Sequence, residues 1–252
     1  MTDEDNTEVA TFAVQFSCID EKGNFLYDVV ARFLETLDTY KTLKGSRKMY
    51  RYVKEYGYYK EDGKEHLDKQ MRELVGTYYR TNRFKEVLSM VQLDTLIEPD
   101  VFVPPIRLVN LKNGYYDIQG KHFYQRYKEE EDCSSFYFQN CLPYEYHPIE
   151  YFGIDGPCPK IDKFFHEVLS NEEDITRMYE WFGFHLIRVY LFKKMAFFLG
   201  ETNTAKSTVA QLLIAFLGKD SVSNVSMKKM RDVCSAHPKT CLPQTRGVCL
   251  DQ

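Results

Sequence analysis

The chain has 252 residues, of which 44% are hydrophobic and 15% aromatic, enough to bury the core of one large domain or two small ones. Its formal net charge of -4 and its pI of about 5.9 exclude a global attraction to nucleic acid, so any DNA contact needs a local basic patch. The longest apolar run, around residues 182–199, is interrupted by Arg188, Lys193 and Lys194 and is too polar to span a membrane. We therefore expect a soluble protein without a membrane partner.

The seven cysteines follow no disulfide framework. Their number is odd, their spacing is irregular and no signal peptide precedes them, so we expect reduced thiols in a cytoplasmic protein that is not secreted. Cys234, His237 and Cys241 are close enough in sequence to suggest metal ligands. No second cysteine pair of zinc-site spacing accompanies them, so a zinc site is not the favoured interpretation.

The first elements predict a small α+β module after a flexible, acidic tail over residues 1–24. Apolar residues recur at helical spacing over residues 25–37, 66–75 and 83–91. Residues 48–59 alternate apolar and charged side chains instead, which predicts a β-hairpin followed by a turn.

Tyrosines and basic residues are interleaved in this module. One interpretation is a surface that stacks bases and contacts the phosphates of single-stranded nucleic acid. The other is a set of amphipathic strands and helices with half-buried rings, which we favour because alternation alone produces this pattern. The residues concerned are Tyr50, Arg51, Tyr52, Lys54, Tyr78, Tyr79, Arg80, Arg83 and Lys85.

Three prolines, Pro99, Pro104 and Pro105, mark a linker into a second group of strands. Residues 107–118 contain an Asn-Gly pair between apolar runs and predict a hairpin. Residues 136–146 predict a further strand, followed by a proline-rich connection.

Two helices are predicted next. Residues 161–169 and 172–190 each place apolar side chains at intervals of three and four. Ser170 and Asn171 offer an N-cap to the second helix, and the acidic residues that follow suit its positive end.

The following segment has the order strand, loop, helix. Residues 195–199 predict a short buried strand that ends at Gly200, and residues 205–217 predict a helix. In such an arrangement the loop N–H groups and the positive end of the helix surround an anion, as in a phosphate-binding loop. Lys206 would then reach the β- and γ-phosphates of a nucleotide, and the Ser207 hydroxyl would bind Mg²⁺.

The loop pattern G-x-x-x-x-A-K-S departs from the usual G-x-x-x-x-G-K-[ST] at Ala205. Glycine permits close backbone approach and unusual dihedral angles, so we expect the methyl group of Ala205 to crowd the phosphates and weaken binding. The alternative interpretation is that Gly200 and Lys206 are only a strand-ending turn and a surface lysine.

Residues 247–252 are a short apolar run into Asp251, preceded by a predicted strand and short helix over residues 222–233. Nucleotide hydrolases place the acid that holds Mg²⁺ and its water at the end of such a strand. Two adjacent acids are usual there, and Gln252 takes the second place in this chain.

The run MYEWFGFHLIRVYLFKKMAFFLGETNTAKST resembles the core of the poxvirus-type and phage/plasmid-type primase-helicases, members of helicase superfamily 3, and the resemblance extends upstream to about residue 25. It implies a DNA-replication ATPase that binds ATP and Mg²⁺, forms a homo-hexamer and moves along single-stranded DNA in a host cytoplasm or at a viral replication site. By this resemblance Lys206 and Asp251 are catalytic, and Ser207 and Asp251 hold the metal. Gln252 departs from the second acid, which polarises the attacking water in this family. The loop positions that match are Gly200, Asn203, Thr204, Lys206, Ser207 and Thr208, with Ala205 as the departure.

The expected fold is a helicase-associated α+β module over residues 25–160, followed by the start of an α/β P-loop (AAA+-like) ATPase domain, truncated, over residues 161–252. The sensor asparagine and arginine finger of the family would lie beyond residue 252, so we expect this chain alone to be inactive in unwinding DNA.

Two other classes stay open. One is a degenerate, catalytically inactive relative that binds DNA or a partner through residues 25–95. The other is an unrelated P-loop kinase or small-molecule ATPase, against which the long amino-terminal module argues.

Overall fold

The computed structural model of the chain describes residues 18–126, 133–148, 158–187, 196, 198–201, 204–224 and 246–248. The chain forms two compact units, and each unit is built from separate stretches of sequence. The first unit comprises Met1–Lys54, Tyr58–Val103 and Ser134–Gln139, and the second comprises Glu55–Gly57, Pro104–Cys133 and Asn140–Gln252.

Over the residues of the first unit that the structure describes, three α-helices accompany a four-stranded sheet in the order β3-β2-β1-β4. Neighbouring strands are antiparallel except for β1 and β4, which are parallel. The helices are α1 (Tyr27–Leu37), α2 (Gly63–Val75) and α3 (Thr81–Asp94), and the strands are β1 (Tyr40–Leu43), β2 (Met49–Val53), β3 (Tyr58–Lys60) and β4 (Leu96–Ile97).

One core joins the three helices to the sheet. Apolar residues recur every three or four positions along each helix and give it one apolar face. Each such side chain contributes about 1.5–3 kcal/mol on full burial, so this shared face stabilises the unit. The buried residues include Val30, Ala31 and Leu34 of α1, Leu67, Met71 and Val75 of α2, Phe84, Val87 and Val91 of α3, and Tyr40 and Met49 of the sheet.

An aromatic cluster completes the first unit. The rings of Tyr50 and Tyr59 lie 5.0 and 5.2 Å from the ring of Phe102, and Tyr137 lies 5.4 Å from the same ring. The Tyr59 N–H donates to the carbonyl of Phe138 at 2.6 Å. The chain thus returns to this unit after leaving it at Val103, and the returning residues cover its aromatic side chains.

The second unit begins with an antiparallel three-stranded sheet in the order β5-β6-β7. Asn113, at the hairpin turn, binds the backbone of Tyr146 through both its side-chain amide and its side-chain oxygen, at 2.9 Å each. The strands are β5 (Leu108–Leu111), β6 (Gly114–Asp117) and β7 (His122–Gln125).

Within the described part of the second unit, three α-helices and two short strands follow this sheet. Asn171 caps the second of these helices, since its side chain accepts a hydrogen bond from the Asp174 N–H at 2.8 Å. The elements are α4 (Pro159–Val168), α5 (Glu172–Phe184), α6 (Lys206–Leu217), β8 (Val222–Asn224) and β9 (Arg246–Val248), and the two strands pair in parallel. The helices share a core that includes Phe165, Ile175, Met178, Phe182, Val209, Leu213 and Leu217.

The predicted helices and both predicted hairpins are confirmed, although α5 ends at Phe184 rather than near residue 190. The strand predicted within residues 136–146 is wrong, because Leu142 makes only an isolated bridge to Leu111. Tyr137 has a positive φ of 51°, and Pro143 has no N–H to donate, so neither suits a regular strand.

The strand predicted over residues 195–199 is also wrong in its described part. Ala196, Phe198 and Leu199 lie in no strand, and Leu199 is 91% exposed. A strand needs a hydrogen-bonded neighbour, and none of the strands within the described ranges pairs with this segment. The short helix predicted after residue 224 lies outside the described residues.

Candidate functional site

Helix α6 sets the position of Lys206, its first residue. Val209, Leu213 and Leu217 are buried against the residues of α4 and α5, which fixes the helix. Its start has no side-chain cap and no acidic residue in the first turn. A helix start of this kind leaves its first N–H groups to other partners and carries a partial positive charge.

Ala205 precedes the helix in the left-handed conformation, with φ 57° and ψ 10°. This conformation costs about 1–2 kcal/mol for a residue with a Cβ atom and little for glycine. The backbone therefore has the geometry for which glycine is suited, and alanine adopts it under strain. This agrees with the sequence position at which glycine is usual.

The Lys206 ammonium is folded over the loop. It donates to the carbonyl oxygens of Gly200 at 2.9 Å and Glu201 at 2.5 Å, and to the Thr204 hydroxyl at 2.9 Å. Within the part of the chain that the structure describes, these partners are uncharged oxygens and no carboxylate pairs with the ammonium. The loop therefore presents a positive charge that no ion pair among those residues neutralises.

Gly200 lies too close to Thr204 to carry a side chain. A Cβ atom on Gly200 would lie 2.7 Å from the Thr204 hydroxyl oxygen, which itself donates to the Glu201 carbonyl at 2.7 Å. The glycine thus permits the closed form of the loop that brings the hydroxyl to Lys206.

A cavity of about 270 Å³ adjoins the lysine. It has a polar end at the loop and an apolar remainder supplied by the helices and the segment before the loop. Sequence reasoning did not identify the helix residues as lining a cavity, because apolar side chains at helical spacing predict a hydrophobic core. The lining residues are Gly200, Thr204 and Lys206 at the polar end, and Val168, Leu169, Met178, Phe198, Leu199 and Val209 elsewhere.

The structure therefore brings four predicted site residues together, namely Gly200, Thr204, Ala205 and Lys206. Ser207 and Thr208 follow in the first turn of α6, and both are exposed. Within the described residues, no group of three histidine, cysteine or acidic side chains could hold a metal ion. The other predicted positions, Asn203, Asp251, Gln252 and the zinc candidates Cys234, His237 and Cys241, lie outside the described residues.

Residues 24–170 match the family described as D5 N terminal like, which is the amino-terminal domain of D5-like primase-helicases. The match covers more than half of the chain. The chain belongs to this D5 family. Among curated proteins, no match to the chain is found.

In this D5 family member, the matched residues include the elements of the first unit and continue through α4 of the second. They end before α5, so the Lys206 loop lies beyond the match. None of the helices within the described ranges has the length and apolar character required to cross a bilayer.

Proposed function

We propose that this D5 family member binds ATP through residues 200–208 and belongs to a replicative primase-helicase. The observation that carries the proposal is the Lys206 ammonium, held by three uncharged oxygens at the open start of α6. A cation in this position suits phosphate oxygens, which would replace the loop oxygens as its partners.

The residues present fit a phosphate group. The lysine charge is not neutralised within the described residues, the helix start has no side-chain cap, and Gly200 carries no Cβ that would enter the loop. The exposed Ser207 hydroxyl would hold Mg²⁺, together with Asp251. ATP supplies the phosphoryl group and the free energy of its transfer when bound.

The apolar part of the cavity supports a nucleotide rather than a free phosphate. Leu169 and Met178 line the same 270 Å³ cavity as Lys206. Apolar walls with a few polar groups are typical of small-molecule sites. We assign the polar end of the cavity to the phosphates and the apolar end to the base and sugar.

The catalytic roles belong to the same proposal. Lys206 would stabilise charge on the transferred phosphoryl group, and Asp251 would hold the metal that activates the water. In the whole protein, a homo-hexamer would couple hydrolysis to movement along single-stranded DNA.

Calorimetry with Mg²⁺-ATP on the full chain tests the proposal. We expect Lys206→Ala to abolish binding, because it removes the positive charge at the phosphates. We expect Ala205→Gly to tighten binding, because glycine adopts the left-handed conformation without strain and removes a methyl group from the loop. Lys219→Ala is the matched control, since Lys219 is exposed beyond the end of α6.

Equal binding by the wild type and by Lys206→Ala would contradict the proposal. Binding by none of the variants would instead favour a degenerate relative whose loop no longer takes nucleotide.

A further inference from the structure

The tyrosines and basic residues of the first unit fall into two groups. On β2, Tyr50 and Tyr52 are each only 7% exposed, and Arg51 binds Asp62 at 3.2 Å. The interpretation of these residues as part of an amphipathic strand is confirmed, with the two rings buried rather than half-buried. The residues between α2 and α3 differ, because Tyr78 remains 43% exposed.

Two arginines are held by the backbone carbonyls of Tyr78 and its two neighbours in sequence. Arg80 donates through Nη1 to the carbonyls of Thr77 at 2.9 Å and Tyr79 at 2.6 Å. Arg83 donates to the Tyr78 carbonyl at 2.7 Å, and its guanidinium lies 4.6 Å from the centroid of the Phe25 ring. Each of these hydrogen bonds uses one nitrogen of a group with five N–H donors, so donors remain for a ligand.

A third arginine extends the cluster. The Arg72 guanidinium lies 4.2 Å from the centroid of the Tyr79 ring and donates to Asp68 at 3.0 Å. Burial acts to raise the pKa of Asp68, but hydrogen bonds from Tyr79 and Arg72 outweigh it and hold that pKa below its usual value. Asp68 is therefore charged and already paired. We name Arg72, Tyr78, Arg80 and Arg83 the arginine corner.

The helix does not explain this placement of charge. Arg80 is the N-cap residue of α3 and Arg83 is in its first turn, and no acidic residue lies in that turn. Cations at the positive end of a helix are unfavourable, by about 0.3–1 kcal/mol each. A ligand with negative charge would offset this repulsion.

We propose that the arginine corner binds single-stranded nucleic acid, with the arginines on the phosphates and Tyr78 stacked on a base. Arginines with unused donors beside an exposed ring suit a single strand, whose bases are open to stacking, better than a duplex, whose bases are enclosed. The choice of single-stranded nucleic acid as the ligand rests on the proposed helicase function. The binding residues, however, lie in the first unit, whereas Lys206 lies in the second.

Fluorescence anisotropy tests the inference on the full chain without nucleotide. The probe is a labelled oligothymidylate of about 12 nucleotides. We expect Tyr78→Ala to weaken binding about tenfold and Tyr78→Phe to preserve it, because the phenyl ring still stacks. Tyr179→Ala is the matched control, since Tyr179 is 42% exposed but lies on α5.

Salt dependence tests the arginines separately. We expect Arg80→Ala to reduce the slope of log affinity against log salt concentration by about 0.7, the value for one phosphate contact on a single strand. Arg177→Ala, in an exposed arginine that pairs with Asp174, is the control and should leave the slope unchanged.

Absence of binding by the wild type would overturn the inference. Equal loss in Tyr78→Ala and Tyr179→Ala would also overturn it, as would duplex binding as tight as single-strand binding. Lys206→Ala should bind the oligonucleotide normally and Tyr78→Ala should bind Mg²⁺-ATP normally, so either proposal can fail without the other.

Discussion

At the residue scale, the glycine at position 57 is required by the side chain of a residue far along the sequence, Arg126. The φ of Gly57 is +60°, and a Cβ atom on it would lie 1.5 Å from Nη1 of Arg126. The same arginine donates through Nη2 to the Asn110 side chain at 2.7 Å and to the Leu111 carbonyl at 2.6 Å. Arg126 therefore ties the end of β7 to β5, and the space it needs is the space that glycine leaves.

We predict that Gly57→Ala lowers the free energy of unfolding by about 2 kcal/mol more than Gly45→Ala does. Both glycines have positive φ, but nothing lies within 4 Å of a Cβ atom on Gly45. Gly45→Ala is therefore the control, and it should cost only the backbone strain of about 1–2 kcal/mol. Urea unfolding measures both variants, and equal losses would show that Arg126 moves aside without cost.

Ala205 and Gly57 also show what a sequence can reveal about single residues. The expectation that position 205 favours glycine follows from a local motif, and the observed left-handed conformation agrees with it. The requirement at position 57 depends on Arg126, far along the chain, and no local pattern relates the two. Long-range contacts of this kind make glycine necessary at positions that no local sequence motif identifies.

At the element scale, Asp62 joins β2 and β3 just before α2 begins. Its carboxylate accepts hydrogen bonds from Arg51 Nη2 and contacts Lys60 Nζ, each at 3.2 Å. Burial acts to raise the pKa of Asp62, but its partners Arg51 and Lys60 outweigh burial and hold that pKa below the usual 3.8. The charged form is thus favoured by folding.

We predict that Asp62→Asn lowers the free energy of unfolding by about 1 kcal/mol at neutral pH. A carboxyl group whose pKa is lowered by folding stabilises the fold above its ordinary pKa and loses this contribution as pH falls through the lowered value. The difference between wild type and variant should therefore shrink below about pH 4.

Thermal unfolding at several pH values measures this difference. Glu73→Gln is the control, because its ion pair with Lys69 is 67–73% exposed and 3.8 Å long and should contribute little. A difference that stays constant as the pH falls would contradict the assignment to ionised Asp62.

Helices were more predictable than strands for a physical reason. A helix satisfies its hydrogen bonds locally, so spacing and caps such as Asn171 specify it. A strand depends on a partner, and the apolar run before Gly200 has none among the described strands. The cavity beside Lys206 was unpredictable for a related reason, since α4 and α5 supply part of its wall.

At the scale of the whole molecule, the two units are built from alternating stretches of the sequence. Phe138 belongs to the first unit and is 1% exposed, although Val103 ends that unit's main stretch. Gln139 adds a hydrogen bond from its side chain to the Phe102 carbonyl at 2.9 Å. A cut after Val103 would therefore separate the first unit from part of its own core.

We predict that Phe138→Ala destabilises the first unit by about 3–5 kcal/mol, the usual cost of removing a buried phenyl ring. Hydrogen exchange should show lost protection in β2 and β3 and retained protection in α6. Phe136→Ala, which truncates a less buried ring nearby, should have a smaller effect. Equal loss of protection in α6 would contradict the assignment of Phe138 to the first unit.

The return of residues 134–139 has a consequence for synthesis on the ribosome. The strands of the first unit emerge before the segment that covers their aromatic side chains, and about thirty residues of the second unit are translated in between. Until Phe138 leaves the exit tunnel, Tyr59 and Phe102 have no cover from this segment and are open to chaperones or to other nascent chains. Closing so long a loop slows folding, so a pause in translation after Phe102 has left the exit tunnel and before Phe138 has left it should expose the nascent chain to aggregation.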